Sequence, residues 1–181
     1  NSLLLNTTGN QNTAIGMVAL DANTTGSDNV ALGYASLTAN TTASNNTAIG
    51  RGALQLNTTG AENTAVGALA GDALTTGFSN TALGMKALSA DTTGRYSVAI
   101  GHSALENQAF TGNNNAYNTA VGYSAGNDVT TGTNNTLIGG LAGDAITTAT
   151  NNTAVGKSAL GANTTGGQNV AVGDNALAAN T

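Results

Sequence analysis

The stretch Asn46-Thr47-Ala48-Ile49-Gly50 opens a 17-residue phrase, NTAIGRGALQLNTTGAE, that starts again at Asn63. Close variants of its first five residues recur along all 181 residues. The glycines that close them are spaced by 17 residues, with one interval of 21: Gly16, Gly33, Gly50, Gly67, Gly84, Gly101, Gly122, Gly139, Gly156 and Gly173. A fixed period along a whole chain predicts stacked repeats that bury their apolar sides against one another. Residues 1–181 are therefore interpreted as a single repeat array.

The opening five residues of the phrase alternate as a short β-strand does. Thr47 and Ile49 share one face of that strand, and Ala48 lies on the other. The asparagine that starts each phrase is predicted to stack on its equivalents above and below, so that the side-chain amides form a ladder. A helix is excluded because glycine recurs every few positions.

The rest of the phrase predicts that the chain turns back and completes one circuit before the next phrase begins. The pair Ala53-Leu54 predicts a second short strand on the opposite wall, and the turn formers of 57–60 close the circuit. One phrase is then one rung of an all-β, parallel β-solenoid of about ten rungs, on the order of 48 Å long. The leucines predicted to point inward are Leu20, Leu37, Leu54, Leu88, Leu105, Leu160 and Leu177.

The composition limits the classes of partner. Charged residues make up 7% of the chain, the formal net charge is −5, and only four residues are basic, which argues against nucleic acid and against an anionic membrane surface. No apolar run approaches the roughly 20 residues of a membrane span. Aromatic residues are 3% and much of the apolar content is alanine, so one chain has a thin core and self-association is expected to add burial.

One phrase carries a family resemblance. Ser97-Val98-Ala99-Ile100-Gly101, followed by His102, resembles the head repeats of YadA-like trimeric autotransporter adhesins, and the Asn-Thr-Ala-Val-Gly and Asn-Thr-Thr-Gly variants are similar to repeats of phage tail fibres and related trimeric surface fibres. The resemblance extends over essentially the whole chain. It implies a left-handed β-roll, a side-by-side homotrimer packed at a three-fold axis, and an extracellular place on a bacterial cell surface or virion tail fibre. The rung here is longer than the YadA-type head rung, and the extra length lies in the Thr-Thr-Gly turn.

Catalytic chemistry is not indicated. His102 is the only histidine, and a catalytic base needs a nucleophile and an orienting partner. The nine acidic residues are scattered over different positions of the phrase, without the recurring close pair of a glycosidase. We expect no enzyme activity, no cofactor and no metal site.

The one irregular rung is the candidate binding surface. Residues 106–117 include four extra residues and two of the six aromatic side chains. Insertions in solenoids map to loops on one face, often a binding face, and the candidate partners are host-surface glycans and matrix proteins. The alternative is a neutral bulge whose aromatic rings fold over the rung edge. The candidate residues are Phe110, Asn113, Asn114, Asn115 and Tyr117.

Three further features give expectations. Neither end carries a capping sequence, which predicts a segment of a longer fibre. The residue after each recurring glycine varies freely in type and is expected to face solvent. The Asn-Thr-Thr turns either serve the turn alone or offer N-glycosylation sequons, at Asn6, Asn23, Asn40, Asn57 and Asn163.

The sequence therefore favours a non-enzymatic structural or adhesive segment of an extracellular trimeric fibre. Two alternatives stay open. One is an ice-binding monomeric solenoid, in which the stacked Thr-Thr turns supply the lattice, although a turn is a poor flat face. The other is a subunit of a self-assembling extracellular filament, in which uncapped ends stack end to end.

Overall fold

The computed structural model describes residues 1–112 and 114–179, and its regular elements in these ranges are short strands. No helix long and apolar enough to cross a bilayer occurs among these residues. Each strand has three residues: β1 (Thr13–Ile15), β2 (Val30–Leu32), β3 (Thr47–Ile49), β4 (Thr64–Val66), β5 (Thr81–Leu83), β6 (Val98–Ile100), β7 (Thr119–Val121), β8 (Thr136–Ile138), β9 (Thr153–Val155) and β10 (Val170–Val172).

The strands form one parallel sheet in chain order, which confirms the predicted all-β solenoid. Each strand pairs with the equivalent residues of the next rung, as in Thr47 with Thr64. The register survives the 21-residue interval, where Val98 pairs with Thr119. The chain therefore makes about nine turns between β1 and β10, and the extra residues lie outside the sheet.

The middle residue of each strand points into the solenoid, and the first and third point outward. Ala31, Ala48 and Ala65 are fully buried, whereas Ile15 and Val172 are 59% and 70% exposed. The alternation had separated these two faces without deciding which one is interior. The alanines pack in one core cluster with the inward leucines of the opposite wall, and a leucine, Leu137, takes the middle position only in β8, where it packs against Gly126 and Gly143.

The predicted second strand is wrong in conformation. On the opposite wall the backbone alternates between right- and left-handed residues, with φ of 67° at Gly52 and 50° at Leu54. Its N–H groups still reach neighbouring rungs, at 2.9 Å from Gly52 N to the Tyr34 oxygen and 3.0 Å from Leu54 N to the Ala70 oxygen. Hydrogen bonding is thus satisfied without an extended strand.

The inward position of the leucines is confirmed for six of the seven. Leu177, in the last described rung, is 48% exposed. The six that are fully buried are Leu20, Leu37, Leu54, Leu88, Leu105 and Leu160.

In three rungs this inward position holds glycine instead of leucine, and the residue three positions later fills the space that the leucine would occupy. Their buried partners are aliphatic, where the other rungs have Asn, Asp or Gln. A Cβ at Gly71 would lie 3.1 Å from Leu74 Cδ1, so the two positions share one interior volume. The compensated pairs are Gly71 with Leu74, Gly126 with Val129, and Gly143 with Ile146, and Leu137 of β8 also fills the space at Gly126 and Gly143.

We predict that Gly71→Leu and Leu74→Asn each destabilise the chain and that together they largely restore it. The first change overfills the shared volume, and the second leaves a cavity. The double change recreates the pattern of Leu54 with Asn57, and its backbone suits leucine because Leu54 has nearly the same φ as Gly71. A double-mutant cycle measured by chemical unfolding should give a favourable coupling of about 2 kcal/mol, and additive effects would contradict the shared volume.

The glycine that closes each strand is required by both conformation and space. Gly50 has φ of 131°, which side chains with a Cβ rarely adopt. A Cβ there would lie 2.5 Å from the carbonyl oxygen of Gly67 in the next rung. The 17-residue glycine period therefore marks positions where consecutive rungs approach too closely to admit a Cβ.

We predict that Gly50→Ala lowers the free energy of unfolding by about 2–4 kcal/mol, because backbone strain and a clash add. The matched control is Gly140→Ala, since the atom nearest to a Cβ at Gly140 is the Tyr123 oxygen at 4.0 Å. The control should change stability by less than about 0.5 kcal/mol. Equal effects of the two changes in thermal or denaturant unfolding would contradict this account.

The predicted asparagine ladder is confirmed inside the solenoid. Asn46 Nδ2 donates to the Gly60 oxygen at 2.9 Å, and Asn46 Oδ1 accepts the backbone N–H of Asn63 at 2.9 Å. A second interior ladder, which the sequence analysis did not identify, runs through the turn asparagines. Asn40 Nδ2 donates to Asn23 Oδ1 at 2.9 Å.

Candidate functional site

The outward face of the sheet carries an unbroken column of aliphatic side chains at the third strand position. We call it the aliphatic column: Ile15, Leu32, Ile49, Val66, Leu83, Ile100, Val121, Ile138, Val155 and Val172. Leu32, Leu83 and Ile138 are 41%, 44% and 39% exposed. Because the parallel register is kept through every rung, these side chains form one continuous apolar stripe along the array.

A threonine column runs beside it at the first strand position, with valine in three rungs. Its members are Thr13, Thr47, Thr64, Thr81, Thr119, Thr136 and Thr153. In the Thr-Thr turns, which lie elsewhere, the hydroxyl group of the first threonine bonds to the next rung, whereas the second, such as Thr25 or Thr76, is exposed. Thr24 Oγ1 donates to the Thr41 oxygen at 3.0 Å, and Thr75 repeats this bond to Thr92. The outward sheet face therefore carries a regular lattice of threonine and aliphatic side chains.

The residues that follow the recurring glycines face solvent, as predicted. Met17 and Tyr123 are each 62% exposed. His102 stacks on Tyr123 with 5.5 Å between ring centroids. In the described part of the chain no three histidine, cysteine or carboxylate side chains come together as a metal site.

The irregular rung is anchored by a buried polar network. Gln108 Nε2 donates to Asp91 Oδ2 at 2.7 Å and to Ser97 Oγ at 2.9 Å, and Asn118 Nδ2 donates to Gln108 Oε1 at 2.9 Å. Asp91 Oδ1 accepts the backbone N–H of Phe110 at 3.3 Å. These contacts fix the start of the enlarged turn from inside.

The structure separates the five candidate residues of this rung. Phe110 is only 3% exposed, so its ring belongs to the interior. Asn114 and Asn115 are exposed, and Tyr117 is 51% exposed. Asn113 lies outside the described residues.

Tyr117 belongs to an aromatic cluster that spans three rungs and consists of Phe78, Arg95, Tyr96 and Tyr117. Tyr96 and Tyr117 stack at 5.2 Å with planes 7° apart, and Phe78 meets Tyr96 edge to face at 5.3 Å. The Arg95 guanidinium lies 4.4 Å from the centre of the Phe78 ring. Only Tyr117 of these four is among the residues predicted from the sequence, because the others precede the insertion and meet it only through rung stacking.

Carboxyl groups along the far wall differ in their surroundings. The pKa of Glu106 is lowered, first by a hydrogen bond from the Ser103 side chain and also by Lys86, whose Nζ lies 3.1 Å from Glu106 Oε1. Burial raises the pKa of Asp72 and of Asp144, and for Asp144 the nearby carboxylate of Asp128 adds to the rise. The three carboxyl groups with shifted pKa values lie in separate rungs and do not form an acid–base pair at one site.

The five predicted sequons serve the interior. Asn23, Asn40, Asn57 and Asn163 are fully buried. Asn57 Nδ2 donates to the Gly60 oxygen at 2.8 Å within its own turn. These interior hydrogen bonds explain the asparagine of the motif, whereas the second threonine is exposed in each of these turns. Three further sequons, missed because they overlap the strand phrase, begin at the exposed residues Asn45, Asn134 and Asn151.

We predict that passage through an N-glycosylating secretory pathway prevents folding, because a glycan on Asn23, Asn40 or Asn57 cannot enter the interior. The comparison is the same chain with alanine at the exposed second threonine of each turn sequon, which removes the acceptor motif and keeps the asparagine. Circular dichroism and glycosidase digestion should show that only the altered chain is β-rich. A β-rich product glycosylated at these asparagines would contradict the prediction.

No protein-family model, curated protein or solved structure matches this chain.

Proposed function

We propose that this chain is a non-enzymatic structural or adhesive segment of an extracellular trimeric fibre, a bacterial surface adhesin or a phage tail fibre. Three chains pack side by side as left-handed rolls through their aliphatic columns. The observation that carries the proposal is the uninterrupted, partly exposed aliphatic column on the outward sheet face.

The energetics support a covered face. Ten aliphatic side chains, five of them exposed and five half-buried, form one contiguous apolar stripe, and such stripes mark interaction surfaces. The interior of one chain is built largely from alanine and asparagine, which bury little apolar area. Packing the outward face against other copies adds the burial that the interior lacks, and the number of copies, three, comes from the resemblance to trimeric fibres.

The role that follows is mechanical. Backbone hydrogen bonds link each rung to the next along the array, and interchain packing would tie three such arrays together. A rod of this kind resists bending and pulling along its axis because many parallel contacts share the load. It would hold a binding tip away from the surface that carries it.

We predict that the wild-type chain has a solution mass three times 17.5 kDa and that Leu32→Lys with Leu83→Lys reduces it to one chain. Two ammonium groups in the buried stripe would lose hydration without a partner. Light scattering gives the mass, and circular dichroism checks that the β structure persists. The matched control is Leu56→Lys, because Leu56 is 52% exposed on the opposite wall and should keep the trimer.

The same face favours one second candidate, ice binding by a monomer. The threonine and aliphatic columns form a regular outward lattice whose rungs repeat at about 4.8 Å. A wild-type monomer would overturn the trimer proposal. Thermal hysteresis from that monomer, abolished by Thr64→Lys, would support ice binding instead, and a monomer without hysteresis would exclude both.

A further inference from the structure

Tyr117 offers an aromatic surface to solvent at the irregular rung. One face of its ring stacks on Tyr96, yet 51% of the residue is exposed. The exposed area therefore comes from the other ring face and from the edge. The neighbouring position in the next rung is Asn134, whose shorter side chain leaves the outer part of that face uncovered.

The position is an unfavourable one for tyrosine. Tyr96 and Tyr117 have φ of 61° and 49°, in the left-handed region that bulky residues avoid. The equivalent position in the other rungs holds Asn, Asp, Gln, Glu or Ser, which are smaller or more flexible. Two rings at this cost, beside the only irregular rung, indicate a use beyond closing the turn.

Neutral amide side chains surround the exposed ring. Asn115 Nδ2 lies 3.3 Å from the Tyr117 hydroxyl oxygen. Beyond Tyr117 the same position is occupied by Asn134 and Asn151 in consecutive rungs, and both are exposed. The described surface has no enclosed pocket, so a ligand here would lie along an open ridge.

This combination suits a carbohydrate. The C–H groups on one side of a pyranose ring pack against an aromatic face, and amides both donate to and accept from sugar hydroxyl groups. The net charge of −5 disfavours acidic sugars. A saccharide chain that stacks on Tyr117 can continue along the rungs past Asn134 and Asn151.

We propose that Tyr117, with the amides of Asn115, Asn134 and Asn151, binds a neutral pyranose oligosaccharide that lies along the solenoid axis. The proposal goes beyond the fibre role and does not depend on the number of chains. It also narrows the binding surface of the irregular rung to its exposed residues and leaves Phe110 a structural role.

The test uses the full chain and a panel of four- to six-unit oligosaccharides of glucose, galactose, mannose and N-acetylhexosamines, with uronic-acid oligosaccharides alongside. Saturation-transfer NMR identifies binding, and isothermal titration measures the affinity. At least one neutral oligosaccharide should bind, and Tyr117→Asn should weaken it by about tenfold or more because the stacking surface is lost.

Two variants separate binding from structure. Tyr117→Asn should fold at least as well as wild type, because Asn134 occupies the same position with φ of 57°. Tyr117→Phe keeps the ring and should retain most of the affinity. Tyr34→Asn removes an exposed tyrosine outside the aromatic cluster and should bind like wild type.

Three results would overturn the proposal: no binding across the panel, binding only to the uronic-acid oligosaccharides, or equal affinity in Tyr117→Asn and wild type. Mass measured on the same samples keeps this outcome distinct from failure of the trimer. If the chain is a monomer and still binds the sugar, the trimeric-fibre proposal fails and the sugar-binding site stands.

Discussion

The structure depends on backbone hydrogen bonding between consecutive rungs at the spacing of a parallel sheet. This spacing holds at the strands, at the turns and along the wall opposite the sheet, as the bonds of Thr47 to Asn63, Thr58 to Thr75 and Leu54 to Ala70 show. It brings equivalent residues of neighbouring rungs close together, which is why Gly50 must face Gly67 without a Cβ between them. It also makes any side chain that suits one rung suit the next, since each position meets a copy of itself.

The stacking of equivalent residues from rung to rung explains the unusual distribution of polar and apolar side chains. Buried amides are costly when unsatisfied, but an amide ladder satisfies each member through the next, as Asn46 does with Asn63. The interior can therefore hold asparagine, while valine, leucine and isoleucine stand on the outward sheet face. The aliphatic column is not part of the interior of a single chain, so its exposure indicates contact with a partner surface.

The irregular rung shows how the array tolerates variation. Four extra residues enter at a turn, where Gln108 and Asp91 replace the usual asparagines and rebuild the polar ladder around the enlarged loop. The strands on either side keep their register, with Val98 opposite Thr119. The surface changes sharply although the scaffold does not, so a binding function can be added at one rung without altering the outward face of the sheet.

The sequence by itself determined the period, the ten strands, the closing glycines, the amide ladder and the inward leucines, because each is a local pattern repeated at fixed spacing. Only the tertiary structure decided that Ala48 faces inward and Ile49 outward, since alternation separates two faces without ranking them. The tertiary structure also decided the conformation of the wall opposite the sheet, because residues such as Leu54 adopt positive φ only when neighbouring rungs bond their backbone. Phe110 and Tyr117 look alike in the sequence, but the stacking of the enlarged turn on its neighbours buries one ring and leaves the other in solvent.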